Sequence, residues 1–407
     1  MNKIIIGKPE IKTVGEYTYL TSVVEDGVLK SKKEYYFSVQ KEYGKYLTYE
    51  VADAFVSALL MPAIITGQNI VVRAPLSEIF YYNLKNSVIH TICSTYNKSP
   101  IAIEPEALAN YNFNPAAVAT GFSGGVDSFT TFLKHTSDEC PESLRLTHLT
   151  LMNVGSYGDT DAAHKNFKKD STRSKAFANE VGIPLVLINS NIATAYNRDD
   201  CDVLRGFSRR LIISLISGIL SLQKLFKYYL ISSSRTIKEV QLSTTSQQYS
   251  ELLFSSFLST KNTKIMIAEA SMDRLDKIKY IVDNPDVQKH LYVCLADIYN
   301  EKQNRIYNMN GFPNCSECDK CTRTILALEA LNKEHLYKER FNLPKFYKVK
   351  SDTITWIYQI KNKHLWAKNL HDLLEENKYH VPISIKVRHN IRQNIVGPIR
   401  RLLNGTR

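Results

Sequence analysis

The sequence lacks a hydrophobic run that could cross a membrane. Its longest apolar stretch, residues 211–222, is shorter than the roughly 18–20 residues that a transmembrane helix requires. We therefore interpret this stretch as a buried crossover helix. The first eight residues also lack the apolar core of a secretory signal, and Lys8 and Lys12 interrupt any extension of it. These absences predict a cytoplasmic protein with no membrane partner.

Cysteines are few and do not suggest a disulfide framework. There are seven, an odd number, and four of them fall late in the chain, which favours metal binding in a reducing compartment. Acidic residues are outnumbered by basic ones, so that the net charge is +12. This excess suits RNA, but it also suits a pocket for phosphates or an ordinary solvated surface. RNA binding is therefore an alternative that is not favoured.

The length of 407 residues predicts more than one domain. Residues 1–115 are predicted to be an N-terminal α+β module, with β-rich segments at 17–24 and 33–39 and a helix capped by Asp53. Residues 336–407 are predicted to be a basic helical extension. We favour a solvated helix docked on the core for this tail over an arm that faces RNA or a membrane.

Between these segments the chain alternates strands with helices. This alternation predicts an α/β fold, a Rossmann-like parallel sheet with helices on both faces. Nucleotides bind at the carboxyl ends of such strands. The predicted elements are strand 116–122, helix 127–136, strand 146–154, helix 162–181, strand 184–190, helix 204–223, strand 227–233 and strand 264–269.

A glycine-rich loop joins the first of these strands to its helix. Backbone N–H groups at Ser123, Gly124 and Gly125 can approach phosphates closely, and the helix that follows presents its N-terminus to an anion. The Lys-Ser/Thr ending of the common P-loop is absent. Asp127 stands there instead, and we expect it to hold Mg²⁺, because a carboxylate repels a polyphosphate unless a cation lies between them. The alternative is an ordinary glycine-rich turn.

The residues S-G-G-V-D-S closely resemble the signature of the ATP pyrophosphatase (PP-loop) superfamily. The resemblance implies a PP-loop ATPase fold that splits ATP into AMP and pyrophosphate and activates a substrate oxygen as its adenylate. It also places the end of the second strand near the adenine. The implied ATP-binding residues are Ser123, Gly124, Gly125, Val126, Asp127, Ser128, Met152 and Asn153, of which Asp127 and Ser128 are the candidate catalytic residues.

Four cysteines form the second motif. Cys315, Cys318 and Cys321 are separated by two residues each, and Cys294 lies upstream. Four thiolates complete a tetrahedral set, which predicts a structural Zn²⁺ site, a zinc knuckle at 294–321, with no position for water. An iron–sulfur cluster, which also takes four thiolates, is the less favoured alternative.

The glycine-rich loop and the cysteine cluster together resemble the 7-cyano-7-deazaguanine synthase family of the queuosine pathway over residues 116–331. The resemblance implies ATP-dependent conversion of a carboxylate to a nitrile with ammonia, and zinc bound by the four cysteines. Residues 265–277 also resemble the family's substrate-side turn. Residues 1–115, the wide spacing between Cys294 and Cys315 and the basic tail depart from the family, which leaves the acceptor open.

We therefore expect an ATP-dependent C–N ligase that acts on a deazaguanine-like or other carboxylate. Residue 2 is Asn, so the nucleophilic cysteine of a glutaminase is absent after Met1, and free ammonia or a partner must supply nitrogen. A tRNA-thiolating enzyme and a non-catalytic nucleotide-binding adaptor are the alternatives, and a homodimer stays open. The basic candidates for pyrophosphate binding are Arg205, Arg209, Arg210, Arg235, Lys238, Arg274 and Lys277.

Overall fold

The computed structural model describes residues 3–158, 160–294, 309 and 311–381. The chain divides into two compact units, one made of Met1–Ser123 and Asp127–Ser271 and the other of Gly124–Val126 and Met272–Arg407. The predicted boundary after residue 115 does not coincide with this division. Residues 1–115 instead share a unit, and a sheet, with the strands of the predicted nucleotide-binding domain.

In the described residues, the first unit is built on one sheet of eleven strands. The strands of the unit are β1 Lys3–Ile6, β2 Glu10–Val14, β3 Tyr17–Asp26, β4 Ser31–Gln40, β5 Asn69–Val72, β6 Leu76–Ser77, β7 Ile103–Pro105, β8 Leu108–Ala109, β9 Ala117–Gly121, β10 His148–Asn153, β11 Leu185–Ser190, β12 Phe226–Ser232 and β13 Lys264–Ala268. The order in the large sheet is β13-β12-β9-β10-β11-β4-β3-β1-β5-β7, and β2 pairs with β3 outside this path. A second, two-stranded sheet joins β6 and β8.

The five strands from β9 to β13 pair parallel with one another. They confirm the expectation of an α/β fold with a mostly parallel central sheet flanked by helices. The helices of the first unit are α1 Asp53–Thr66, α2 Glu78–Asn83, α3 Ile89–Tyr96, α4 Val126–Thr136, α5 Asp161–Val181, α6 Leu211–Leu220 and α7 Glu251–Phe257. A π-helical turn, Leu84–Val88, joins α2 to α3.

The amino-terminal strands extend this sheet rather than forming a separate module. Strand β4 pairs antiparallel with β11 only near the carboxyl end of β11, where Ser190 lies opposite Phe37. Beyond that point the side chain of Gln40 replaces the backbone ladder. Its Nε2 donates to Leu185 O and its Oε1 accepts from Leu187 N–H, each at 2.8 Å. A side-chain amide thus satisfies the edge of β11 that the short pairing leaves open.

The predicted helix 204–223 is wrong at its start. Helix α6 begins at Leu211, and two short 3₁₀ turns precede it. Gly206 lies between these turns with φ +96°, a conformation that a right-handed helix cannot contain. Gln247 then caps α6, because its Oε1 accepts from the N–H groups of Ile212 and Ile213 at 3.0 and 3.2 Å.

Helix α1 is buried on every side except at Thr66. Asp53 is not its cap, as the sequence suggested, since Ala52 occupies that position. The Asp53 carboxylate is instead buried and accepts from Ser77 N–H at 2.9 Å, Ser77 Oγ at 2.5 Å and Gln223 Nε2 at 2.9 Å. Burial raises the pKa of Asp53, and these hydrogen bonds offset the effect only in part.

The second unit is helical where the structure describes it. Its helices are α8 Arg274–Ile281, α9 Pro285–His290, α10 Asp319–Ala330, α11 Leu343–Ile360 and α12 Leu365–Glu376. The last two agree with the helical character predicted after residue 336, whereas the basic residues beyond 381 lie outside the described residues. Among the helices described, none combines the length and the apolar character that a membrane span needs.

Asp53→Asn should change how stability depends on pH. Since the folded state raises the pKa of Asp53, it binds the proton more tightly than the unfolded state, whose carboxyl has a pKa of about 4. The contribution of Asp53 to the free energy of unfolding is therefore greatest below that pH and falls as pH rises through the raised pKa.

Urea unfolding of the wild type and Asp53→Asn between pH 4 and 7 measures this difference. The variant should gain stability relative to the wild type as pH rises. Asp138→Asn, at a fully exposed carboxylate, is the control and should show no such trend. Parallel pH profiles for the wild type and Asp53→Asn would contradict the account.

Candidate functional site

The loop after β9 has the strand–loop–helix form that the sequence predicts. Strand β9 ends at Gly121 and α4 begins at Val126. Gly124 has φ +75°, a left-handed conformation that favours glycine. Ser123 is exposed. The loop thus leads directly into the N-terminus of a helix, where backbone N–H groups attract anions.

An aromatic cluster holds the start of this loop. The ring of Phe122 stacks on Phe177 of α5 with centroids 4.3 Å apart, and Phe129 and Phe132 of α4 pack edge-on against Phe177. The backbone of Phe122 is also fixed, because its carbonyl accepts from Ser174 Oγ at 3.1 Å. The residue before Ser123 is therefore anchored to both flanking helices.

Asp127 and Ser128 lie in the first turn of α4. Asp127 is half-buried, whereas Ser128 is buried. A carboxylate in this position interacts favourably with the helix dipole whether or not it holds a cation. Within the second unit, Gly124 O accepts from Tyr292 N–H at 2.7 Å, which fixes the middle of the loop.

The structure places Met152 and Asn153 at the carboxyl end of β10, with both side chains buried. Asn153 Nδ2 donates to Asn189 Oδ1 at 2.8 Å and thereby joins the ends of β10 and β11. Met152 lies against α6, where a Cβ on Gly218 would meet the Met152 sulfur at 3.2 Å. Both residues thus have packing roles, beside the adenine contacts that the resemblance implies.

Two buried glutamates near the strand ends were not singled out as candidates. Glu251, in the first turn of α7, accepts from the N–H and hydroxyl of Ser234, both at 3.1 Å. Glu269 directly follows β13 with φ +56°. Its carboxylate accepts from Thr131 Oγ1 and lies 3.3 Å from His135 Nε2, so both partners are on α4. In the sequence, the position of Glu269 directly after a strand is the signal that could have indicated a residue at this edge of the sheet.

The four predicted metal ligands come together in the second unit. Cys294, Cys315, Cys318 and Cys321 are all buried, and their sulfurs all lie within 4.8 Å of one another. The sulfurs of Cys294 and Cys318 are 3.9 Å apart, and those of Cys315 and Cys321 are 3.8 Å apart. Four sulfurs at about 2.3 Å from one ion would be about 3.8 Å apart. The group can therefore hold a single tetrahedral metal ion.

Asn314 positions two parts of this cluster. Its Oδ1 accepts from the N–H groups of Val293 and Cys294, at 2.8 and 3.1 Å. Its Nδ2 donates to Leu291 O and to Arg340 O, each at 3.1 Å. One buried amide thus holds residues 291–294 beside Cys315, although the two segments are far apart in sequence.

Hydrogen bonds within the cluster favour the thiolate form of some of the cysteines. Hydrogen bonds from Cys294 lower the pKa of Cys315 and of Cys318. Burial raises the pKa of Cys321. The N–H of Cys318 also points to Cys315 Sγ at 3.3 Å, which favours a thiolate. A divalent ion would favour the deprotonated form of all four.

The predicted basic candidates differ in their surroundings. Arg205 and Arg235 pair with carboxylates, Asp199 and Glu239, both at 2.9 Å. Arg209 donates to Val203 O at 2.8 Å. Arg210 and Lys277 are buried. The prediction from sequence segments therefore does not distinguish ligand-binding cations from structural ones.

Comparison with protein-family models, with curated proteins and with solved structures gave no significant match. The functional interpretation therefore rests on the glycine-rich loop, the cysteine cluster and the residues around them.

Replacing one ligand should remove the metal. We expect the wild type to bind about one metal ion per chain. Cys315→Ser should lose most of this metal, because a serine hydroxyl is a poor substitute for a thiolate. Thermal unfolding should shift to a clearly lower temperature, since metal binding contributes to folding. Elemental analysis and a melting curve measure both. Cys93→Ser, at a buried cysteine outside the cluster, should keep the metal. Equal metal content in the two variants would refute the site.

Proposed function

We propose that the protein is an ATP-dependent ligase that adenylates a carboxylate, releases pyrophosphate and then forms an amide or a nitrile with ammonia. The observation that carries this proposal is the S-G-G-V-D-S loop, which joins a buried strand of a parallel sheet to a helix N-terminus. Ligands of open α/β sheets bind at this edge. The resemblance of the loop to the PP-loop signature supplies the reaction class.

The chemistry explains why ATP is needed. A carboxylate does not accept ammonia at neutral pH because the leaving group would be oxide, whereas an acyl adenylate releases AMP. The carboxylate oxygen attacks the α-phosphorus, the bond to the bridging oxygen breaks, and pyrophosphate leaves. Ammonia then attacks the acyl carbon, AMP leaves, and a proton passes to solvent. A second adenylation, at the amide oxygen, releases pyrophosphate and one N–H proton, and loss of AMP and the second N–H proton then gives a nitrile.

In this proposal the residues of the loop position the triphosphate. The backbone at Ser123, Gly124 and Gly125 and the N-terminus of α4 bind phosphate oxygens. Asp127 holds Mg²⁺, which would neutralise the charge of the departing pyrophosphate. Ser128 is the second candidate contact from the helix. The protein acts by positioning and by electrostatic stabilisation.

We assign the cysteine group to structural zinc. Four sulfur ligands close the coordination sphere and leave no position for a reacting water. An iron–sulfur cluster contains several metal atoms, which would hold its thiolates farther apart than sulfurs that all lie within 4.8 Å. This spacing supports zinc over the cluster that a tRNA-thiolating enzyme could use.

The proposal predicts carboxylate-dependent exchange of labelled pyrophosphate into ATP. A panel of carboxylates that includes 7-carboxy-7-deazaguanine tests it. Asp127→Ala should lower the exchange rate by at least about a hundredfold, since it removes the charge that holds Mg²⁺ at the phosphates.

Asp161→Ala is the matched control, because Asp161 also lies in the first turn of a helix of this unit. It should exchange pyrophosphate like the wild type. Unchanged exchange in a folded Asp127→Ala protein would refute the role of Asp127. Tight ATP binding without exchange for any carboxylate would favour the adaptor alternative.

A further inference from the structure

Arg210 is a buried cation without a counterion among the described residues. It immediately precedes α6, and only 6% of it is exposed. No carboxylate in the described part of the chain lies within ion-pair distance of its guanidinium. Charged side chains are almost never buried this deeply unless they are paired. Arg210 therefore requires an explanation that the fold alone does not provide.

The neighbours of Arg210 provide only part of the hydrogen bonding and none of the negative charge that its guanidinium requires. Its guanidinium carbon lies 4.3 Å from the centre of the Tyr196 ring. Its Nη1 donates to Ala193 O at the long distance of 3.4 Å. Its Nε is buried and has no acceptor among the described residues. A ring face and one carbonyl leave the positive charge without neutralisation.

The position of Arg210 makes this charge less favourable still. As the N-cap residue it stands at the positive end of the α6 dipole, where an anion and not a cation is stabilised. The group that caps α6, Gln247, is a neutral amide and adds no negative charge. Burial accordingly lowers the pKa of Arg210. An anion bound here would offset the charge of the side chain and of the helix end together.

Arg210 also lies at the edge of the sheet where the candidate site is. A Cβ on Gly155, which has φ +104°, would be 3.7 Å from the guanidinium carbon. Gly155 follows the carboxyl end of β10, and β10 is the parallel neighbour of β9, which leads into Ser123. Because residue 155 is glycine, no side chain at this position lies against the guanidinium.

We propose that Arg210 binds an oxyanion of a ligand at this edge of the sheet. The source of the oxyanion, which rests on the proposed function, is the carboxylate of the acceptor or a phosphate of ATP. Arg210 is then a binding residue whose positive charge is neutralised only when the ligand is bound.

The test compares anion binding by the wild type, Arg210→Gln and Arg210→Lys. The probes are inorganic pyrophosphate and sodium benzoate, each measured against sodium chloride of equal ionic strength by calorimetry and thermal unfolding. At least one probe should stabilise the wild type, and Arg210→Gln should bind that probe at least tenfold more weakly. Arg210→Lys should be intermediate. The probe that responds identifies phosphate or carboxylate as the source.

Arg145→Gln is the control, because Arg145 is an exposed arginine outside the candidate set whose guanidinium lies 3.9 Å from the Asp138 carboxylate, and it should bind like the wild type. Without added anion, Arg210→Gln should melt at or above the temperature of the wild type, since it loses an uncompensated buried charge. A clearly lower melting temperature would indicate a structural role and overturn the proposal. It is equally overturned if neither probe binds, or if Arg210→Gln binds both like the wild type.

This experiment measures binding and not turnover. Absence of pyrophosphate exchange with every carboxylate would remove the proposed ligase activity but leave a positive anion-binding result intact. Conversely, exchange with unaltered anion binding in Arg210→Gln would overturn only the role of Arg210.

Discussion

The parallel register of β9 with β10 and β12 is the constraint on which the candidate site depends. Thr120 of β9 lies opposite Leu149 of β10 and opposite Leu230 of β12. Its hydroxyl donates to Leu230 O at 2.7 Å, deep inside the sheet. A register shift by one residue would leave this buried hydroxyl without its acceptor, at an energetic cost.

Two further polar side chains support the same register. Thr150 Oγ1 and Tyr229 Oη lie 2.5 Å apart between β10 and β12, across β9. Burial raises the pKa of Tyr229, so its hydroxyl stays protonated and can donate to Thr150. This network holds together the strand ends that lead to Ser123, Gly155 and Ser233. The geometry of the sheet edge that carries the candidate site is therefore determined inside the sheet.

Much of the parallel half of the fold could be predicted from the sequence because its strands are short apolar runs separated by helix-length segments. The extent of the sheet could not be, since β4 reaches β11 through a short pairing that the Gln40 side chain completes. Nothing in the local pattern of residues 1–115 distinguishes a separate module from strands that extend another sheet. The late start of α6 depends on the conformation of Gly206, which sequence periodicity does not reveal.

The candidate site likewise combines features that the local sequence reveals with features that depend on tertiary packing. The glycine-rich loop and the cysteine spacings are local patterns and could be recognised directly. The isolation of Arg210 and the contact of Glu269 with α4 arise only from tertiary packing. Seven basic residues looked equivalent in the sequence, but ion pairing distinguishes Arg205 and Arg235 from the buried Arg210. Asn314 joins the two halves of the cysteine cluster, and the sequence around it likewise does not indicate this role.

The central claim is that the loop at 123–128 holds ATP for cleavage between its α- and β-phosphates. Phosphorus NMR of a reaction with MgATP, ammonium and the carboxylate panel tests it most directly. The account predicts AMP and pyrophosphate in equal amounts, formed only with an accepted carboxylate. Formation of ADP and orthophosphate would contradict it.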